Sequence, residues 1–191
     1  MPARPYVHLL GEEFKLFEPD PSLLNYREMV STLAKICRYN GRCREFYSVA
    51  QHSVHCAELC EQLLPGDCSA AMACLMHDAA EYVVGDIVTS LKRTMYLGGD
   101  PDYLSFEQAE ESVCACIAEK FGVPVWHEIV PTVDKTLLYR ELLDLTDVDP
   151  VSRQLPHGEL ARTLSPIEPW TWQHAVIKFS RKFDQLVKEL N

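Results

Sequence analysis

Four side chains with metal-binding chemistry occur in the order His52, His77-Asp78 and Asp134. Neutral imidazole and carboxylate suit Zn, Mn, Fe or Co better than Ca, which takes all-oxygen shells. Each of the four lies on a stretch with helical periodicity. Ligands carried on separate helices of a small bundle can converge on one divalent ion, and the chemistry such an ion supplies is hydrolysis by an acidified water. The context of His77-Asp78 carries the signal: Cys74-Leu75-Met76 runs apolar into the pair, and Ala79-Ala80-Glu81 continues as helix. Two adjacent polar side chains beside an apolar run are costly to bury unless hydrogen-bonded or metal-bound.

Other residues join these four by position. Glu81 follows Asp78 by three and is expected on the same helix face, in a catalytic or water-orienting role. An anion at a helix C-terminus is unfavourable, which argues against an idle surface acid there. Asp86 follows the stop at Gly85 and can reach the same cavity. Lys92 and Arg38 are candidate phosphate contacts, Arg38 through its planar fork, and Tyr39 offers a face on which a base could stack. Lys135 is a weaker phosphate candidate. His55 is read as a packed or solvent-facing histidine rather than a second metal ligand, and Tyr139 and Glu141 as supports for the helix bearing Asp134. A serine-nucleophile reading fails, because the chain has neither Gly-x-Ser-x-Gly nor a Gly-rich phosphate loop ending in Lys-Ser or Lys-Thr.

The elements that must position these residues are helices. The chain has 191 residues, 47% of them apolar, enough for one domain with a sizeable core. A first helix is expected from near Ser22 to Cys37, stopped at Arg38-Tyr39-Asn40-Gly41. Ser48 to Gln51 reads as a capping box opening a helix to Leu64. A third runs from about Ser69 to Val84. Ile87 to Pro101 reads as a loop with a short helix. Ser105 to Gln108 is a second capping box, for a helix ending at Gly122. A broken helix spans Trp126 to Thr146, with Pro131 in the first turn of its second half and Asp134 one turn in. Residues 149–170 read as an irregular connection, and residues 172–190 as an amphipathic packing helix. Residues 1–21 read as irregular, with Phe14, Leu16 and Phe17 covering an edge. No strand is expected.

The net charge of -10 argues against nucleic-acid polymers and anionic membranes as partners, while a metal and a few local cations can still favour a small anionic substrate. No apolar run approaches a membrane span. The first ten residues lack a signal-peptide pattern, so a cytoplasmic location is expected. The eight cysteines include no Cys-x-x-Cys and read as reduced packing residues.

The pattern His52, His77-Asp78, Asp134 resembles the H…HD…D signature of the HD superfamily of metal-dependent phosphohydrolases. Tyr47-Ser48-Val49-Ala50-Gln51-His52-Ser53 and His77-Asp78-Ala79-Ala80-Glu81, followed by Gly85-Asp86-Ile87 and Leu91-Lys92, resemble the YfbR-like branch, over roughly residues 22–147. That branch holds 5′-deoxynucleotidases and the phage DatZ enzymes that remove triphosphate from dATP. The resemblance implies an all-α, single HD-domain helical bundle over residues 1–191. It implies a divalent ion (Zn, Mn, Co or Mg) on His52, His77, Asp78 and Asp134. Glu81 and Asp86 would be catalytic, with Asp86 positioning water or protonating the leaving 5′-oxygen, and Arg38, Tyr39 and Lys92 would bind substrate. Tyr39 departs from the Trp or Phe usual after the Arg. The short length and the Tyr-Ser-Val-Ala-x-His-Ser phrase look closer to the phage-type proteins, in which case the location would be a host cytoplasm. The expected activity is dATP triphosphohydrolysis, with 5′-deoxynucleotidase activity as the alternative, in a homo-oligomer. A non-catalytic nucleotide- or partner-binding domain is the rival of another class.

Overall fold

The computed structural model describes residues 5–99 and 102–191, and the chain is mostly helical. Its helices are α1 (Tyr26–Leu33), α2 (Val49–Leu63), α3 (Cys68–Met76), α4 (Glu81–Val84), α5 (Thr89–Lys92), α6 (Phe106–Phe121), α7 (Val130–Leu145), α8 (Gly158–Thr163) and α9 (Trp172–Leu190). Helix α3 is apolar all round, and Ala70 to Met76 are buried without exception. A helix with no polar face belongs in the middle of a domain. α2 and α9 pack against α3 and against each other, and α7 closes on both α2 and α3. α9 supplies the opposite pattern, burying Ala175, Phe179 and Leu186 and leaving a charged outer face. The ends are capped from sequence: Ser48 accepts from the Gln51 N–H, Ser105 and Gln108 form a full capping box, and Gly122 takes the left-handed conformation that ends α6.

Several expectations are corrected. The first helix begins only at Tyr26, after a 3-10 turn over Pro21–Leu23, and it stops at Leu33. At Ser48 half of the expected box forms, because the Gln51 side chain bonds instead to the Glu168 carbonyl and the Trp170 N–H. The third expected helix is two, α3 and α4, separated by a turn over residues 77–80. Trp126 to Ile129 lie outside α7, which starts at Val130 with Pro131 in its first turn. The connection 149–170 contains α8.

Two antiparallel hairpins also appear where no strand was expected. β1 (Tyr6–Leu9) pairs with β2 (Glu12–Lys15) through a turn at Leu10-Gly11, both with positive φ, the backbone that two-residue hairpins favour. Alternation explains it: Leu9, Phe14 and Leu16 are buried while Tyr6, His8, Glu13 and Lys15 face out. β3 (Tyr96–Gly99) pairs with β4 (Asp102–Ser105). The end of the expected Ile87–Pro101 loop, Asp100 and Pro101, lies outside the described residues. Among the described residues no helix is long and apolar enough to cross a membrane.

Candidate metal centre

α2, the end of α3 and the first turns of α7 bring the four expected ligands together. His52 Nε2 lies 3.4 Å from His77 Nε2, 3.2 Å from Asp134 Oδ1 and 3.6 Å from Asp78 Oδ2. His77 Nε2 lies 3.3 Å from the same Asp78 oxygen. The second nitrogen of each ring settles what these atoms are. His52 Nδ1 donates to Glu141 Oε1 at 2.6 Å, and His77 Nδ1 donates to the Cys74 carbonyl at 2.8 Å. A carboxylate and a carbonyl only accept, so both Nδ1 atoms carry a proton, and each Nε2 presents a lone pair whenever its ring is neutral. Two nitrogen lone pairs and two carboxylate oxygens therefore converge, and a cation is what satisfies such a set. The separations match the edges of a tetrahedron around an ion bound at zinc-like distances, about 3.3–3.5 Å.

Charge gives the same answer. Asp78, Asp134 and Glu141 carry three negative charges, and Arg38 offsets one, bonding to Asp78 at 3.3 Å and Glu141 at 3.2 Å. The remaining two match a divalent ion. Burial opposes charge on Asp78, but His77, His52 and Arg38 outweigh it and hold its carboxyl well below the usual range. Burial likewise opposes a cationic His52, and Arg38 opposes it further, yet Glu141 and Asp134 push its pKa well upward. The cluster is electron-rich and attracts positive charge, whether proton or metal.

His52, Cys56 and His77 also bring donor atoms within 4.8 Å of one another, a group that can hold a metal ion. Cys56 sits one turn after His52, with Sγ 3.4 Å from its Nε2. The sequence reading took this cysteine as packing alone. Burial pushes its thiol up to about 11, so the carboxylates are the readier anionic donors.

Beside the cluster lies a cavity of about 440 Å³ whose wall includes Asp78, Asp134, Glu81, Asp86, Arg38, Tyr39 and Lys92. Glu81, Asp86, Arg38, Tyr39 and Lys92, expected from the sequence to act on or bind substrate, all line it. Glu81 is buried, and its Oε2 has no hydrogen-bond partner among the described residues. Burial, with repulsion from Asp78 and Asp86, raises its pKa well above the usual range; burial raises Asp86 too. Both shifts run in the direction of the protonated acid. The helical-face argument for Glu81 fails, since a turn separates it from Asp78, yet the turn delivers it to the same cavity. Gly85, at φ 78° and ψ 163°, ends α4 in a conformation open essentially to glycine and redirects the chain to Asp86.

The cations differ from expectation in their partners. Lys92 is bound by Glu110 at 2.5 Å and lies 3.7 Å from Glu81. Tyr39 donates its hydroxyl to Glu141 at 2.5 Å, and its ring lies 5.6 Å from the Arg38 guanidinium. Lys135 is exposed and does not line the cavity. His55 accepts from or donates to the Tyr47 hydroxyl at 3.2 Å and packs edge-on to Trp170, away from the cluster. Tyr139 is buried and receives a hydrogen bond from Arg162.

Two residues of the site lie beyond what the sequence indicated. Glu141, read as a helix support, is fully buried and holds His52, Arg38 and Tyr39 at once; its spacing of two turns from Asp134 was the available signal. Arg153 lines the cavity from the segment after α7, and nothing in its sequence context marks it. A larger cavity of about 740 Å³, bordered by His55, Glu58, Arg140 and Trp170, shares none of these residues. Size does not locate the chemistry here.

These features define a mostly helical protein with a cluster of histidines and carboxylates, from the buried His52 to the half-buried Asp134, that could hold a cation. The chain is 37% identical over 164 residues to the uncharacterized protein YfdR of Escherichia coli, an alignment spanning 83% of this chain and 82% of that one. It belongs to the family of YfdR. It is also 31% identical over 119 residues to the uncharacterized protein RCAP_rcc00048 of Rhodobacter capsulatus, spanning 61% of this chain and 57% of that protein. No family model matches the chain.

Proposed function

We propose that this chain is a metal-dependent phosphohydrolase of deoxynucleotides, of the HD-domain type. The observation that carries the proposal is the convergence of four acceptor atoms, from His52, His77, Asp78 and Asp134, beside a cavity that is also lined by two acids, Glu81 and Asp86. His52, His77, Asp78 and Asp134 would hold a divalent ion such as Zn, Mn, Co or Mg. When bound, such an ion supplies Lewis acidity toward a phosphoryl oxygen and lowers the pKa of water.

The chain's own residues do the rest. Glu81 positions the attacking water through its unpartnered Oε2. Water adds to the phosphorus nearest the sugar, the bond from that phosphorus to the 5′-oxygen breaks, Asp86 delivers a proton to the departing oxygen, and the proton that the water releases restores Asp86. Arg38, held between Asp78 and Glu141, and Lys92 and Arg153 are the cations that line the cavity and would face the phosphates. Tyr39, fixed by Glu141, gives the nucleoside a flat face.

The resemblance favours dATP, which would yield deoxyadenosine and triphosphate. One observation favours the second reading, a 5′-deoxynucleotidase. Arg38 and Lys92 already spend their charge on acids of the protein, which leaves little for three phosphates. A panel of deoxynucleoside mono-, di- and triphosphates with added metal, products separated by chromatography, distinguishes the two. Nucleoside release is expected, and Glu81→Gln is expected to lower turnover about 10²–10⁴-fold with metal retained. No release from any member would reject the proposal in favour of a non-catalytic domain.

A further inference from the structure

Cys37 and Cys43 bracket the turn Arg38–Gly41 that carries Arg38 and Tyr39. Their sulfurs lie 3.6 Å apart, so bonding at about 2.0 Å requires only a small approach of the two side chains. Each end of the segment is pinned separately. Cys37 pairs with Ser48 in a short antiparallel bridge, and the neighbouring Arg38 N–H donates to the Tyr47 carbonyl at 2.9 Å. Beside Cys43, Arg44 donates to the carbonyls of Asp144 and Thr146 near the end of α7. Between the pins, Tyr39 and Asn40 both hold positive φ, 60° and 51°, a conformation that costs non-glycine residues energy. Cys56, Cys60, Cys74 and Cys116 are buried, whereas Cys37 and Cys43 are only half-buried, with Gly41, Arg42, Arg44 and Glu45 exposed around them.

We propose that Cys37 and Cys43 form a reversible thiol–disulfide site that staples the Arg38–Gly41 turn, with a small disulfide such as glutathione disulfide as the oxidant. The Cys37 thiolate attacks one sulfur of that disulfide, its S–S bond breaks, and one glutathione leaves as thiolate. The Cys43 thiolate then attacks the Cys37 sulfur of the mixed disulfide and expels the second glutathione. The two cysteines lose two electrons and two protons, and the disulfide gains them as two thiols. Burial and contact with Cys37 raise the Cys43 thiol above its ordinary value, which suits it to the resolving rather than the attacking role. The closed ring holds Arg38 and Tyr39, the residues that reach Asp78 and Glu141. The inference rests on thiol geometry and stands apart from the hydrolase reading.

The test equilibrates the full chain with graded ratios of glutathione disulfide to glutathione, blocks free thiols and maps peptides without reduction. The expected result is a Cys37–Cys43 cross-linked peptide that dithiothreitol removes, and slower amide exchange over residues 38–43 in the oxidised chain. Cys43→Ser should instead trap glutathione on Cys37. Two blocked thiols at every ratio, or glutathione on both cysteines with no cross-link, would overturn the site; a cross-link with unchanged amide exchange would overturn the staple.

Discussion

Glu141 fixes the tautomer of His52, neutralises Arg38 and orients Tyr39, all without solvent contact. Burial raises its pKa, but Arg38 and His52 lower it further, to about 2, so it stays an acceptor. Glu141→Gln keeps the shape and loses the charge; metal affinity, measured by titration calorimetry, should fall about 10–100-fold. Glu141→Ala leaves Arg38 buried and half-paired, and should destabilise the fold by about 3–5 kcal/mol in denaturant unfolding. Wild-type metal affinity in Glu141→Gln would show that His52 needs no such partner. At this scale the four acceptor residues were legible, since His and Asp beside apolar runs are costly without a purpose. Glu141 was not, because a lone Glu on a helix usually reads as surface. The partners of Lys92 were not either, because Glu110 reaches it from α6, far along the chain.

The elements that matter most are the short ones. α3 ends at Met76, residues 77–80 turn, and α4 carries Glu81 for a single turn before Gly85. Helical periodicity runs through Ala79-Ala80 without a breaker, so the sequence reads as one helix, and only the packing of the site explains the turn. α2, α6 and α9 were legible to within a few residues because their side-chain caps and apolar positions agree, and α7 because Pro131 marks its first turn. The β1–β2 hairpin was missed because four-residue strands leave only two inward side chains each. Gly85 tests the α4 stop. A Cβ there meets nothing within 4 Å, so Gly85→Ala costs backbone strain alone, about 1–3 kcal/mol by thermal or denaturant unfolding. The same variant should shift Asp86 and lower turnover with metal content unchanged. An unchanged stability would mean that the chain leaves α4 by another path.

For the whole molecule, His55 ties folding to pH. Burial lowers its pKa from 6.5 to about 4 in the folded chain, so between these values the unfolded chain binds the extra proton. Its contribution to stability is present above about pH 6.5 and is lost as pH falls toward 4. His55→Gln should therefore flatten the stability-versus-pH curve in that window; an identical slope in the variant would place the loss elsewhere. The acidic net charge of -10 and the cation-seeking cluster describe one molecule, acidic in overall balance and electron-rich at its site. The central claim is that His52, His77, Asp78 and Asp134 hold the ion on which hydrolysis depends. The most direct measurement is elemental analysis of the purified chain alongside its turnover of dATP and dAMP. About one divalent ion per chain is expected, with metal and turnover lost together in His77→Ala and in Asp78→Ala. Unchanged metal content in both variants, or full turnover by the metal-stripped chain, would contradict it.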